Sequence, residues 1–220
     1  MVMCLSVLAD PISFAARLKS GLQLPLPGRQ AQQLMAPAPR RYDPEPGTTP
    51  RRSAVLLLLY PNASTIFITM IKRRETHNHH AGEISFPGGA VEAQDSDIIA
   101  TALREAREEI NAPTEFIEVL GLLTPLYIEP SDNLVQPVVG WLNALPNLEP
   151  QPAEVAQILS TPLTHFMRVE TLRWQTLQQN GRTLTFPSYT LAGDYVWGAT
   201  AMILSEMLSL ICDLEQETTE

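Results

Sequence analysis

Cysteine is nearly absent from this chain: Cys4 and Cys212 are the only two in 220 residues. They form neither a CxxC motif nor a disulfide framework, and neither has a visible catalytic setting, so a reduced, cytoplasmic compartment is expected. Positive charge is also scarce, with 15 Lys and Arg against 24 Asp and Glu and a formal net charge of −9. Nonspecific nucleic-acid binding draws chiefly on Lys and Arg neutralising phosphates, so that class of partner is disfavoured, although a local basic patch can still hold a phosphorylated small molecule. Long hydrophobic runs are missing too. The apolar stretches 1–9 and 199–211 fall short of the ~20 residues that a membrane span needs, and the second contains Glu206. The first lacks a positive start and a small-residue cleavage site, which argues against a signal peptide and reads as the beginning of a helix.

What the chain has is aliphatic residues and proline. A hydrophobic content of 45% over this length suits one good core. An amphipathic helix is expected from about Asp10 to Leu22, with Pro11 in its first turn. Pro25, Pro27, Pro37, Pro39, Pro44, Pro46 and Pro50 then predict an extended or irregular arm over residues 24–52. The run Ala54 to Tyr60, closed by Pro61-Asn62, has the continuous apolarity of a buried central strand, with Thr65 to Ile71 as its partner. A short strand is expected around Ile84-Ser85-Phe86, a helix from Ser96 or Asp97 to Ile110, and β-prone segments at 117–127 and 134–142. Residues 153–159 read as a short helix. Asn180-Gly181 signals a hairpin, and a final helix is expected over about 198–214 with Met202, Ile203, Met207, Leu210 and Leu214 on its core face. The organisation is therefore read as an N-terminal helix and arm (1–52), a catalytic domain (53–214) and a tail (215–220), of mixed-sheet α/β or α+β class.

Chemistry concentrates at Gly88-Gly89 and, after Asp95, at Arg104-Glu105-Ala106-Arg107-Glu108-Glu109. Glycine lets backbone approach a ligand closely, and Phe86-Pro87-Gly88-Gly89 sets such a turn before a helix crowded with carboxylates. Glu105, Glu108 and Glu109 stand three and four residues apart, roughly on one helix face. Like charges so placed repel by ~0.2–0.5 kcal/mol per pair, and a divalent cation would turn that repulsion into attraction. Oxygen ligands of this kind suit magnesium or manganese.

These residues resemble a Nudix box, G-x5-E-x7-R-E-U-x-E-E-x-G-U. Gly89, Arg104, Glu105, Glu108 and Glu109 fit; Asp95 stands for the first Glu, one extra residue precedes Arg104, Ala106 takes a bulky place and Asn111 replaces the last Gly. The Asp and the extra residue are similar to the coenzyme A pyrophosphatase branch of the family. Gln33 to Arg40, Gln136 to Gly140 and Tyr195 to Ala201 also resemble strings recurring in that branch, so the likeness spans most of residues 31–205. The branch's substrate signature survives in part: Arg73, Gly82 and Phe86-Pro87-Gly88-Gly89 fit, but Arg74 stands where Ser or Ala is usual and Asn78 replaces the second Arg.

The resemblance implies an α/β/α sandwich around a mixed sheet and a Mg2+- or Mn2+-dependent hydrolase. Its ligands would be Glu105, Glu109, Glu108 and the Gly89 carbonyl, with Glu108 also a candidate for general base. Arg104 is expected to orient a carboxylate such as Glu108 or Asp95, and Asp95 to be structural. Substrate-binding candidates are Lys72, Arg73, Arg74, His80, Gly88 and Gly89. His77, His79 and His80 lack the fixed spacing of a transition-metal site, and Glu154 is a weaker candidate for a late general base. The leading substrate is coenzyme A or a derivative, cut to 3′,5′-ADP and phosphopantetheine-type products. Asn78 keeps another nucleoside diphosphate derivative open, such as ADP-ribose or a dinucleoside polyphosphate. A silent nucleotide-binding domain is the remaining alternative, against which the complete Arg104 to Glu109 set speaks. A homodimer through the arm stays open.

Overall fold

The run of aliphatic residues at 54–60 forms the middle of the longest strand, β1 (Arg51–Asn62), in which Leu56, Leu57, Leu58 and Leu59 are all fully buried. Both of its faces are covered, which is why apolarity here is continuous rather than alternating. In the computed structural model, which describes residues 8, 10–74, 82–179 and 182–216, β1 pairs with β2 (Thr65–Arg73) at one end. At its other end it pairs with the short β4 (Gly88–Ala90), which follows β3 (Ile84–Ser85). Along its length it runs parallel to β7 (Asn133–Trp141). With β5 (Glu118–Leu122), β6 (Leu126–Ile128) and β8 (Val155–Pro162), these strands make an eight-stranded mixed sheet.

Helices cover the two faces. α3 (Ile98–Ile110) packs Ala102, Ala106 and Ile110 onto the face carrying Ala54, Leu56 and Leu58. On the other face, Leu57 and Leu59 meet α1 (Pro11–Gly21), through Phe14 and Leu18, and α5 (Gly198–Gln216). The result is the expected α/β/α sandwich with a mixed sheet. The α5 stripe of Met202, Ile203, Met207, Leu210 and Leu214 is core, as its spacing implied. After the one-turn helix α4 (Leu163–Phe166), a second, three-stranded sheet forms from β9 (Leu172–Gln179), β10 (Arg182–Leu191) and β11 (Asp194–Val196). Gln179 and Arg182 face each other in register, as a hairpin through Asn180-Gly181 requires; the turn itself lies outside the described residues.

Two segments differ from their sequence reading. Residues 153–159 are not a helix: β8 begins at Val155 and runs antiparallel along β2 from Arg73 to Phe67. Without it β2 would expose a row of unpaired backbone groups, a demand invisible in the local sequence. The arm is not irregular throughout, because α2 (Gly28–Gln33) lies within it and buries Ala31 and Gln32. GRQAQQ contains no proline, and Ser205 Oγ on α5 donates to the Ala31 carbonyl at 2.8 Å. Tertiary contact thus stabilises a helix too short to persist alone.

Candidate active site

The acidic helix starts at an extended Asp97, whose side chain accepts the Ala100 N–H at 2.8 Å, and stops at Asn111, a left-handed C-cap with φ 50°. Both features are local, so the sequence places this helix to within a residue. Its register then decides which carboxylates turn inward. Glu109 is 2% exposed and Glu105 14%, whereas Glu108 is 58% exposed.

The glycine pair meets the inward carboxylates. Gly88 and Gly89 lie in β4 opposite Val55 and Ala54 of β1. Gly88 donates its backbone N–H to Glu109 Oε2 at 2.9 Å. A Cβ on Gly89 would stand 2.4 Å from Glu105 Oε1, and one on Gly88 only 2.3 Å from the Ala54 carbonyl oxygen. At Gly88 the obstacle is backbone, so the absence of a side chain is a packing requirement, whereas at Gly89 it leaves room for the Glu105 carboxylate.

Two arginines hold the acids. Arg104 forms a fork on Asp95, with Nε to Oδ1 at 2.9 Å and Nη2 to Oδ2 at 3.1 Å, while Nη1 donates to Glu105 Oε1 at 2.9 Å and Glu108 Oε2 at 3.1 Å. Asp95 also accepts from Thr101 Oγ1 and from the Glu92 N–H, and with Arg104 beside it its carboxyl is held well below the usual carboxylate range. The Arg104 guanidinium holds its proton more tightly in return. Arg73, from the end of β2, brings Nη2 to 3.2 Å from Glu109 Oε1 and 3.0 Å from the Gly88 carbonyl oxygen, and donates from Nε to Ser85 Oγ at 3.2 Å.

Burial pushes Glu109 up to about 7, against the opposing pull of Arg73 and the Gly88 N–H; Glu105 and Glu154 push it further. Burial raises Glu105 as well, with Arg104 opposing. Glu154 is exposed in the turn just before β8, near enough to act on both. Among the described residues no three His, Cys, Asp or Glu side chains form a ready cluster for a metal ion. The arginines, instead, neutralise these carboxylates.

Arg73, Arg104, Glu105, Glu109 and the glycine pair therefore come together, with Glu108 at the rim. Lys72 does not join them: its Nζ pairs with Asp194 of β11 at 2.7 Å, and its strand partner Ile84 belongs to the opposite core from α3. Arg74 is exposed, its backbone N–H donating to the Glu154 carbonyl at 2.8 Å. His77, Asn78, His79 and His80 lie outside the described residues. Ser85 and Asp194 went unnoticed in the sequence, since a lone Ser in a two-residue strand and an Asp far along the chain carry no local signal.

The sequence model of the NUDIX domain matches residues 50–185, well over half of the chain. The chain belongs to the Nudix family. This Nudix hydrolase, by that membership an enzyme of phosphoric anhydrides, is 35% identical over 177 residues to an uncharacterized Nudix hydrolase NudL of Photorhabdus laumondii, covering 80% of this chain and 91% of that one. It is 31% identical over 187 residues to the mitochondrial coenzyme A diphosphatase NUDT8 of Homo sapiens, covering 83% of this chain and 77% of that protein. Among solved structures, the Nudix hydrolase RenU of M. smegmatis aligns with a TM-score of 0.49 at 15% identity, over 74% of this chain and 86% of that one. Nudix hydrolases generally use divalent metal ions. No helix among the described residues is long and apolar enough to cross a membrane.

Proposed function

We propose that this Nudix hydrolase cleaves the pyrophosphate of coenzyme A or its derivatives with Mg2+ or Mn2+, releasing 3′,5′-ADP and phosphopantetheine-type products. The observation that carries the reaction is the buried Glu109 carboxylate at the glycine turn, joined there by Arg73 and Glu105. The donor set fits a hard divalent ion: two inward carboxylates, each made harder to ionise by burial and by its acidic neighbours, gain from a nearby double positive charge. Glu105 and Glu109, with the Gly89 carbonyl, would hold it. Bound there, the ion would neutralise pyrophosphate oxygens and make an attacking water easier to deprotonate.

The chain's own groups supply the rest. Glu108 accepts a hydrogen bond from Arg104 through Oε2, which leaves Oε1 of this exposed carboxylate to take the water's proton. Arg104, itself fixed by Asp95, orients Glu105 and Glu108 together. Arg73, at the Gly88 carbonyl, would supply guanidinium donors to a phosphoryl group bound at the glycine turn. Of the other phosphate-side candidates, Lys72 is taken up by Asp194, while Arg74 and His80 are proposed from the sequence resemblance alone; the near-absence of cysteine supports a reduced, cytoplasmic setting.

The coenzyme A assignment is supported by the similarity to a coenzyme A diphosphatase and by the surviving Arg73 and Phe86-Pro87-Gly88-Gly89 of the branch signature. Asn78, where that signature has Arg, favours a second reading, hydrolysis of ADP-ribose or a dinucleoside polyphosphate. Mass spectrometry of products from a mixed panel with saturating Mg2+ or Mn2+ separates them. Coenzyme A left intact while ADP-ribose is cut would sink the first reading, and nucleotide binding without any cleavage would sink both.

A further inference from the structure

The two arginines of the site are anchored differently. Arg104 is locked by the two-pronged pairing with Asp95, which is only 3% exposed, so its contact with Glu105 is one of several. Among the described residues Arg73 has no such lock. Its one acidic partner among the described residues is Glu109; its other side-chain contacts are the neutral Ser85 hydroxyl and Gly88 carbonyl. Arg73 itself is 31% exposed, at the strand end facing the glycine turn.

One Nη2 group thus sits at 3.2 Å from Glu109 Oε1 and 3.0 Å from Gly88 O, while Glu109 Oε2 is taken by the Gly88 N–H. A divalent cation drawn to Glu109 would meet a guanidinium already on the one oxygen that backbone does not occupy. Two positive groups on a single buried carboxylate repel strongly, because so little water screens them. The doubly charged one wins, and the displaced guanidinium needs another anion. A pyrophosphate at the glycine turn provides it, in the bidentate geometry that guanidinium favours.

We propose that Arg73 is an exchangeable counter-ion: it occupies Glu109 while the metal is absent, gives it up when a divalent cation binds, and then turns to the substrate's pyrophosphate. Metal and pyrophosphate binding are thereby coupled through one side chain, and the coupling acts equally on both ligands. This rests on the reading of Glu109 as a metal ligand.

The test is calorimetric and needs no turnover. Mn2+ is titrated into the full chain, wild type and R73Q, at one fixed pH and again one unit higher. The counter-ion role requires R73Q to bind Mn2+ about three- to fivefold more tightly, the scale of one partly exposed ion pair. Imidodiphosphate, a non-hydrolysable pyrophosphate, should bind R73Q more weakly than wild type when Mn2+ saturates the protein, and alike when metal is withheld. Unchanged or weaker Mn2+ binding by R73Q overturns the proposal, as does imidodiphosphate binding that falls equally with and without metal; R73M repeats both measurements if R73Q does not fold. E109Q separates the two levels: if it binds Mn2+ as wild type does, the ligand reading itself fails and the exchange with it.

Discussion

Glu109 is buried and, among the described residues, accepts one backbone N–H and faces one guanidinium, so its charge is held at some cost to the fold. Glu109→Gln keeps the shape and removes that charge. Turnover should fall by orders of magnitude while the melting temperature does not fall, and above about pH 7 it should hold or rise; unchanged activity would refute its ligand role. The pH dependence follows with a definite sign. The Glu109 carboxyl moves from an ordinary 4.5 up to about 7 on folding. Between those values the folded chain holds more protons than the unfolded chain, so this group's contribution to stability is full below 4.5 and is lost as pH rises to about 7. Denaturant midpoints of the metal-free protein should show that downward slope, and E109Q should flatten it. The glycines differ from each other. Gly88→Ala drives a Cβ into the Ala54 carbonyl and the Val55 Cα, backbone atoms that cannot swing away, and should cost about 1–3 kcal/mol in urea unfolding. Gly89→Ala meets only the movable end of Glu105, so it should keep its stability while calorimetry finds weakened Mn2+ binding.

At the scale of elements, α3 depends on both of its ends. Asp97→Ala removes the side-chain acceptor for the Ala100 N–H and should cost about 1 kcal/mol, read from the shift in denaturation midpoint at constant slope. Asn111 holds φ 50°, which Gly tolerates and Ala does not, so N111G should match the wild type and N111A should lie about 1 kcal/mol below it. These ends were legible because capping is written in adjacent residues. The strand β8 and the helix α2 were not, since each exists to complete something distant: β8 pairs the open edge of β2, and α2 fits against α5. Lys72 shows the same limit inside one strand. It neighbours Arg73 in sequence, yet it pairs with Asp194 of β11 while Arg73 reaches Glu109.

Across the whole molecule, the arm is tied in by a buried carboxylate. Glu206, inside α5 and fully buried, accepts from Gln32 Nε2 of α2 at 2.8 Å and from the Thr124 N–H between β5 and β6 at 3.1 Å. Gln32 also donates to the Thr124 carbonyl at 3.0 Å, which closes the network. Glu206→Ala strands a buried amide and a backbone N–H together, so equilibrium unfolding should show a loss of about 2–4 kcal/mol. A loss below about 1 kcal/mol would mean that water enters and replaces the carboxylate.

The sequence by itself determined the central strand, the acidic helix, the glycine turn and the membership of Arg104, Glu105, Glu108 and Glu109 in one charged unit. All of these rest on spacing and composition within a few residues, where backbone geometry leaves little choice. Only the tertiary structure decided which acids turn inward, that Arg73 rather than Lys72 meets Glu109, and that Glu206 fastens the arm. Those outcomes depend on desolvation and on partners far along the chain, and both come into existence only when the sheet and its two helical layers close around them.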